Sequence, residues 1–189
     1  MLGPMPEARY DGVSAWYDDF VASFAPSFAR LLAARARGYG APGDLVFDVG
    51  CGTGLAFDAL LAAGLVPIGL ELSGDQLRLA RTRGSNVVPA DAVRLPFRDA
   101  ALGLSVASFV HTDVDDFAAV VAEVARVLRA SGTFADIGTH PCFVGPFVKR
   151  VDEQAERQLV VRRGYGDEVL SLEGSGSTTG LNSRVGGAT

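Results

Sequence analysis

Residues that commonly mark metal, disulfide or phosphate chemistry are scarce in this chain. Its 189 residues include only two cysteines, Cys51 and Cys142, and two histidines, His111 and His140. The cysteines lack metal-ligand spacing, and a reducing compartment keeps them as thiols, so neither a metal nor a disulfide framework is expected. Lysine is nearly missing: of 17 basic residues only Lys149 is not arginine, and 22 acidic residues leave a net charge of −5. That balance argues against a phosphate track for nucleic acid. No apolar run approaches the ~18 residues of a membrane span, and no early basic and apolar leader pattern is visible. A cytoplasmic location without stable membrane insertion is expected. With 48% hydrophobic residues the chain has material for one α/β core.

What the chain does have is glycine in one telling place. The apolar run Leu45-Val46-Phe47 leads into Asp48-Val49-Gly50-Cys51-Gly52-Thr53-Gly54. Glycine at every second position allows positive φ and a close approach that a Cβ would block. Helix formers follow from Leu55 to Ala63, and Gly64 supplies a stop. The segment therefore reads as strand, glycine turn and helix, the first half of a βαβ unit whose helix N-terminus faces a ligand. A glycine-rich turn with no ligand is the plain alternative.

A second strand, Val66 to Glu71, ends on a carboxylate 19 residues after Gly52. In doubly wound folds an acidic residue about 20 positions on accepts hydrogen bonds from ribose hydroxyls. Ser73 then reads as the cap of a helix from Gly74 to Arg81. A third strand, Asn86 to Pro89, leads to Asp91, and a fourth, Leu102 to Ser108, leads to Phe109-Val110-His111. The apolar stripe Phe117, Val120, Val121, Val124, Val127 and Leu128 predicts a helix from Asp115 to Arg129, with Glu123 and Arg126 on a solvated face as an internal pair. A fifth strand is expected from Thr133 to Gly138. Strands alternating with helices call for a parallel sheet.

Together these motifs resemble the class I S-adenosylmethionine-dependent methyltransferases. The residues that carry the likeness are Asp48-x-Gly50-x-Gly52-x-Gly54, Glu71, Asp91-Ala92 followed by Leu95-Pro96-Phe97, the pairs Tyr10-Asp11 and Tyr17-Asp18, His111, and Glu123-x-x-Arg126-Val127-Leu128. Within the superfamily the chain is most similar to the small-molecule branch that includes the ubiquinone and menaquinone methyltransferases. The resemblance covers about residues 10 to 146. It departs at Ala130-Ser131-Gly132, where the family has Pro-Gly-Gly; Gly132 is still expected to end the helix.

The resemblance implies an α/β, Rossmann-like doubly wound sheet with parallel strands in the order 3-2-1-4-5. It implies S-adenosyl-L-methionine as cofactor and a quinol, phenol or similar small molecule as acceptor. The cofactor residues are then Asp48, Gly50, Cys51, Gly52 and Gly54 of the loop, Glu71 and Leu72 for the ribose end, Asp91 and Ala92 for adenine, and Phe109 after the fourth strand. Tyr17 comes near the methionyl end or is simply structural. Asp91 either bonds the adenine amino group or caps a turn. Cys51 packs behind the loop without needing reactivity. His111 positions the acceptor or serves as a supporting hydrogen bonder, and His140 is a weaker candidate for touching substrate. A nicotinamide oxidoreductase is the competing reading. Its fingerprint wants a third glycine or an alanine where Leu55 stands, and a pyrophosphate suits Asp48 less well than a zwitterion does.

Three regions are expected: an N-terminal helical lid over residues 1–40, broken at Pro26, a cofactor-binding core over 41–165, and a flexible or incomplete tail over 166–189. A helix is expected from Val148 to Arg163, with Val151, Ala155, Leu159 and Val160 on one face. Strands 6 and 7 of the family have no counterpart, and Asn182 to Gly186 resembles a segment that in relatives precedes further structured chain. A natural or sequencing truncation is therefore expected, leaving strand 5 as an exposed edge through which a homodimer can form. A non-catalytic cofactor-binding remnant is the corresponding alternative function.

Overall fold

The computed structural model describes residues 8–84 and 86–140, together with the backbone of four later strands. Pro26 divides the aromatic-rich N-terminal segment into α1 (Ser14–Val21) and α2 (Ala25–Arg37). The proline sits in the first turn of α2, where a missing N–H breaks no helical bond. The apolar runs become β1 (Leu45–Val49), β2 (Val66–Glu71), β3 (Asn86–Pro89) and β4 (Leu102–Ser108). With β5 (Leu128–Ile137) they form one parallel sheet in the order β3-β2-β1-β4-β5. This is the Rossmann-like order expected from the sequence. Ligands of such sheets collect at the carboxyl ends of the strands where the order reverses, here between β1 and β4.

Local chemistry sets the helix starts. The glycine loop is followed by the short α3 (Phe57–Ala62). The Ser73 hydroxyl accepts the Gln76 N–H at 3.2 Å and opens α4 (Gly74–Thr82). Asp116 does the same for Ala119 at 2.9 Å and opens α5 (Phe117–Val127). Leu32, Ala33 and Ala36 of α2 meet Val46, Leu60, Leu65, Leu104 and Val106, none more than 3% exposed. Each large member of that group contributes about 1.5–3 kcal/mol by leaving water, which fixes α2 to the sheet.

Several elements differ from expectation. α5 ends at Val127 rather than Arg129, and β5 begins at Leu128 rather than Thr133. Opposite Leu102 and Leu104 the β5 register jumps from Leu128 to Thr133, so residues 129–132 bulge. Gly132 belongs to that bulge instead of ending the helix, and a Cβ there would stand 2.9 Å from the Arg129 carbonyl oxygen. The connection from β3 to β4 is a loop with a bridge between Asp91 and Arg94, so strand and helix do not alternate throughout.

The helix expected from Val148 to Arg163 is replaced by an antiparallel hairpin, β6 (Val148–Glu153) and β7 (Glu156–Val161). Val148, Val151, Val160 and Val161 are β-branched, which lowers their helix preference and raises their strand preference. Two short strands, β8 (Val169–Ser171) and β9 (Ser183–Val185), pair antiparallel in the stretch expected to lack order. The chain divides into one unit of residues 1–110 and 116–137, which contains the five-stranded sheet, and another of residues 111–115 and 138–189. Among the described residues no helix is long and apolar enough to cross a membrane, and no cluster of side chains has metal-binding composition. Cys142 lies outside the described residues.

Candidate cofactor site

The site begins at the buried end of β1. Asp48 is 1% exposed, and its Oδ1 has no hydrogen-bond partner. Burial, reinforced by the charge of Glu71, pushes its pKa up to about 7. A buried carboxylate oxygen without a donor is costly, and it is a fitting neighbour for a cationic or N–H-bearing group.

The glycine loop turns beside it. Gly50 and Gly52 have φ of 68° and 56°. Their missing Cβ positions are already filled by protein: a Cβ on Gly50 would stand 2.5 Å from Val110 Cγ2, and one on Gly52 2.7 Å from Gln76 Oε1. These two glycines let the loop pack closely on its own scaffold. The loop is tied down by its backbone. Gly50 and Cys51 donate to the Leu70 carbonyl at 2.7 and 3.1 Å, and Gly52 donates to Glu71 Oε2 at 3.0 Å.

Glu71 is thus a hub. Its Oε1 also accepts the N–H groups of Leu72 and Ser73, both at 2.8 Å. Burial raises its pKa, and the hydrogen bonds from Ser73, Gly52 and Leu72 offset part of that rise. Leu72 enters through its backbone. Cys51 is buried against the loop, and its thiol is pushed up, first by burial and then by Asp48 and Glu71, so it is no thiolate nucleophile.

A cavity of about 60 Å³ is lined by Asp48, Gly50, Cys51, Gly52 and Thr53, with Tyr17, Val21 and Phe24 from the N-terminal helical segment and Phe109 after β4. Phe109 has φ 62°, a left-handed conformation that is rare for an aromatic residue. Its ring meets the edges of Phe24 and Phe28, with centroids 6.4 and 5.1 Å away. Tyr17 packs against Tyr10 at 4.6 Å. One wall is therefore polar and anionic, and the other aromatic.

Asp91 and Ala92 are not among the residues lining this cavity. They follow β3 in a loop joined to β2 by the Ala90 N–H, which donates to the Glu71 carbonyl at 2.9 Å. Asp91 Oδ1 accepts the Val93 N–H at 3.1 Å, the turn-capping geometry left open by the sequence. In the second unit the half-buried His111 donates from Nε2 to the Thr139 carbonyl at 3.0 Å, and Gly138 makes room for its ring. His140 is exposed in that unit.

Three groups of residues were missed by sequence reasoning. Thr53, only 1% exposed, donates its hydroxyl to Asp18, and Arg83 donates to the Thr53 carbonyl at 2.7 Å. Gln76, 2% exposed, backs Gly52. Glu123 and Arg126 are more than a solvated pair. Glu123 accepts the Leu95 N–H at 2.8 Å, and Arg126 bonds Glu123 and Asp99 at 2.6 Å each, clamping the loop that begins at Asp91. Glu123-x-x-Arg126 and Tyr17-Asp18 stand out in the sequence, and neither motif names its partner.

A family model described as a methyltransferase domain matches residues 47–135. A demethylmenaquinone methyltransferase of Mycobacterium sp. (strain KMS) is 35% identical over 128 residues, covering 66% of this chain and 55% of that protein. Another, from Corynebacterium urealyticum, is 31% identical over 128 residues, covering 67% and 56%. The chain thus spans little more than half the length of these curated relatives. The crystal structure of an S-adenosylmethionine-dependent methyltransferase from Mesorhizobium loti shares the fold, with a TM-score of 0.64 at 24% identity, covering 82% of this chain and 73% of that one. The matched domain and the shared fold make the chain similar to the class I S-adenosylmethionine-dependent methyltransferase family. Within that family, the chain is similar to demethylmenaquinone methyltransferases over about two thirds of its own length.

Proposed function

We propose that this chain binds S-adenosyl-L-methionine at the glycine loop and transfers its methyl group to a small aromatic acceptor such as a quinol or phenol. The observation that carries the reading is Asp48, a buried carboxylate with an orphaned oxygen in the wall of a cavity. Its chemistry fits the positive end of a sulfonium amino acid and opposes a pyrophosphate. Glu71 and Leu72 fit a ribose diol, and Asp91 with Ala92 an adenine edge. Bound there, the cofactor supplies an electrophilic methyl group on a cationic sulfur.

The chain's own contribution is placement and exclusion of water. Tyr17, Phe24 and Phe109 offer an apolar wall against which a planar acceptor can lie. Names of the relatives support a quinol, and the wall supports any aromatic acceptor of similar size. His111 and His140 stay candidates for orienting the acceptor oxygen. The end position of β5 in the sheet supports a homodimer through that edge.

Thermal-shift titration with S-adenosylmethionine and NADH, followed by turnover across quinols, phenols and amines, tests the assignment. Stabilisation by the sulfonium donor and methylation of a quinol or phenol is expected. Stabilisation by NADH alone overturns it. Binding without turnover favours a non-catalytic cofactor-binding protein.

A further inference from the structure

The cavity at the glycine loop measures about 60 Å³, whereas sites for small ligands occupy roughly 300–1,000 Å³. Its cover is made by Tyr17 and Val21 of α1 and by Phe24 at the turn into α2. Entry of a nucleoside-sized molecule therefore requires this cover to move. What holds the cover down then governs access.

Two side chains, Arg83 and Thr53, join the cover to the loop through Asp18. Arg83, at the end of α4, donates from Nη2 to both oxygens of Asp18 on α1, at 3.0 and 2.9 Å. From Nη1 it donates to the Thr53 carbonyl inside the glycine loop at 2.7 Å. Thr53 closes the triangle by donating its hydroxyl to Asp18. Both charged side chains are about three-quarters buried, at 25% and 23% exposure, and a charge-assisted hydrogen bond from guanidinium to carboxylate is stronger than a neutral one. A second fastening lies nearby: the Ser73 hydroxyl donates to Asp11 at 2.6 Å, and the Gly12 N–H donates to Asp75 at 2.7 Å.

We propose that Arg83 is a positioning residue that latches α1 onto the glycine loop through Asp18 and Thr53, and that its release sets the rate at which a nucleoside cofactor enters and leaves. The same side chain fixes the Thr53 carbonyl, so it orients the loop as well as the cover. The consequence for cofactor exchange rests on the function proposed above. The latch itself does not.

Trp16, the single tryptophan, lies on α1 and stacks on Phe20 at 5.4 Å, so its fluorescence reports the cover. Acrylamide quenching of Trp16 and stopped-flow binding of S-adenosylhomocysteine are compared in wild type, Arg83→Gln, Asp18→Asn and the control Arg81→Gln. Loss of a partly buried ion pair of this kind predicts quenching and both cofactor rate constants raised about three- to tenfold in Arg83→Gln. A smaller rise is predicted in Asp18→Asn, which keeps the Thr53 contact, and none in Arg81→Gln. The exchanged pair Asp18→Arg with Arg83→Asp is expected to recover slow quenching. Should Arg83→Gln fail to fold, Asp18→Asn alone decides. Unchanged quenching in Arg83→Gln and Asp18→Asn overturns the latch. Raised quenching in a protein that ignores S-adenosylhomocysteine upholds the latch and removes the cofactor reading instead.

Discussion

The Glu71 carboxylate accepts the backbone N–H of Gly52 at 3.0 Å, joining the end of β2 directly to the middle of the glycine loop. A residue assigned to ribose binding by its spacing thus also holds the loop in shape. With the N–H groups of Leu72 and Ser73 it accounts for three charge-assisted bonds. Glu71→Ala leaves those donors without their acceptor, and a loss of about 2–3 kcal/mol in urea unfolding is expected. Glu71→Gln keeps an acceptor oxygen and should fall between. Both should weaken S-adenosylmethionine binding by calorimetry at least about tenfold, and unchanged affinity would remove Glu71 from the ribose role.

Asp48 predicts a pH dependence. Its pKa rises from 3.8 to about 7 on folding, mainly through burial. A folded-state pKa above the unfolded one gives stability that is fully present below pH ~4 and is lost as pH rises through about 7. Asp48→Asn should therefore be relatively more stable than wild type at pH 8, by at most about 4 kcal/mol, and nearly equal at pH 4. A cationic ligand favours the ionised carboxylate, so its affinity for wild type should increase from pH 6 to pH 8. The Asn variant should bind more weakly and lose that slope. A flat wild-type profile would show that Asp48 does not face the cation.

Phe109 carries backbone strain. At φ 62° a side chain costs about 1–2 kcal/mol relative to glycine. Phe109→Gly and Phe109→Ala both lose the ring contacts with Phe24 and Phe28, so comparing them isolates the backbone. Thermal or urea unfolding should find the glycine variant more stable than the alanine variant by about 1 kcal/mol. The reverse order would mean the strain is relieved locally. Both variants should raise the KM for an aromatic acceptor.

The Glu123 and Arg126 clamp predicts local rather than global change. Hydrogen bonding from Arg126 holds the Glu123 pKa below its ordinary value, helped by the Leu95 N–H. A depressed carboxylate contributes stability above pH ~4.5 that disappears as pH falls through its folded value. Glu123→Gln should speed hydrogen exchange at the Leu95 amide and in the loop from Asp91 to Asp99, with little effect on the core strands. Unchanged exchange at Leu95 would mean another contact anchors that loop.

Much of the core was legible because its signals are local. β2, β3 and β4 begin and end at their predicted residues, since short apolar runs of strand length leave few alternatives. The Ser73 cap and the break at Pro26 follow from chemistry within one turn of helix. Long-range pairing was not legible. Asp18 and Arg83 are 65 residues apart, and Leu95 and Glu123 are 28 apart. No local preference announces either pair. The hairpin of β6 and β7 was misread because Val151, Ala155 and Leu159 also satisfy a helical period, and a short apolar pattern alone does not separate the two. The packing of the glycine loop against Val110 and Gln76 is visible only in three dimensions.

The central claim is that the loop from Asp48 to Gly54 holds a sulfonium nucleoside. Calorimetric titration at pH 8 with S-adenosylmethionine, and separately with NADH, addresses it most directly. Saturable one-to-one binding of S-adenosylmethionine, weakened in Asp48→Asn and with no heat from NADH, is the predicted result. Saturable binding of NADH with none of S-adenosylmethionine would contradict it.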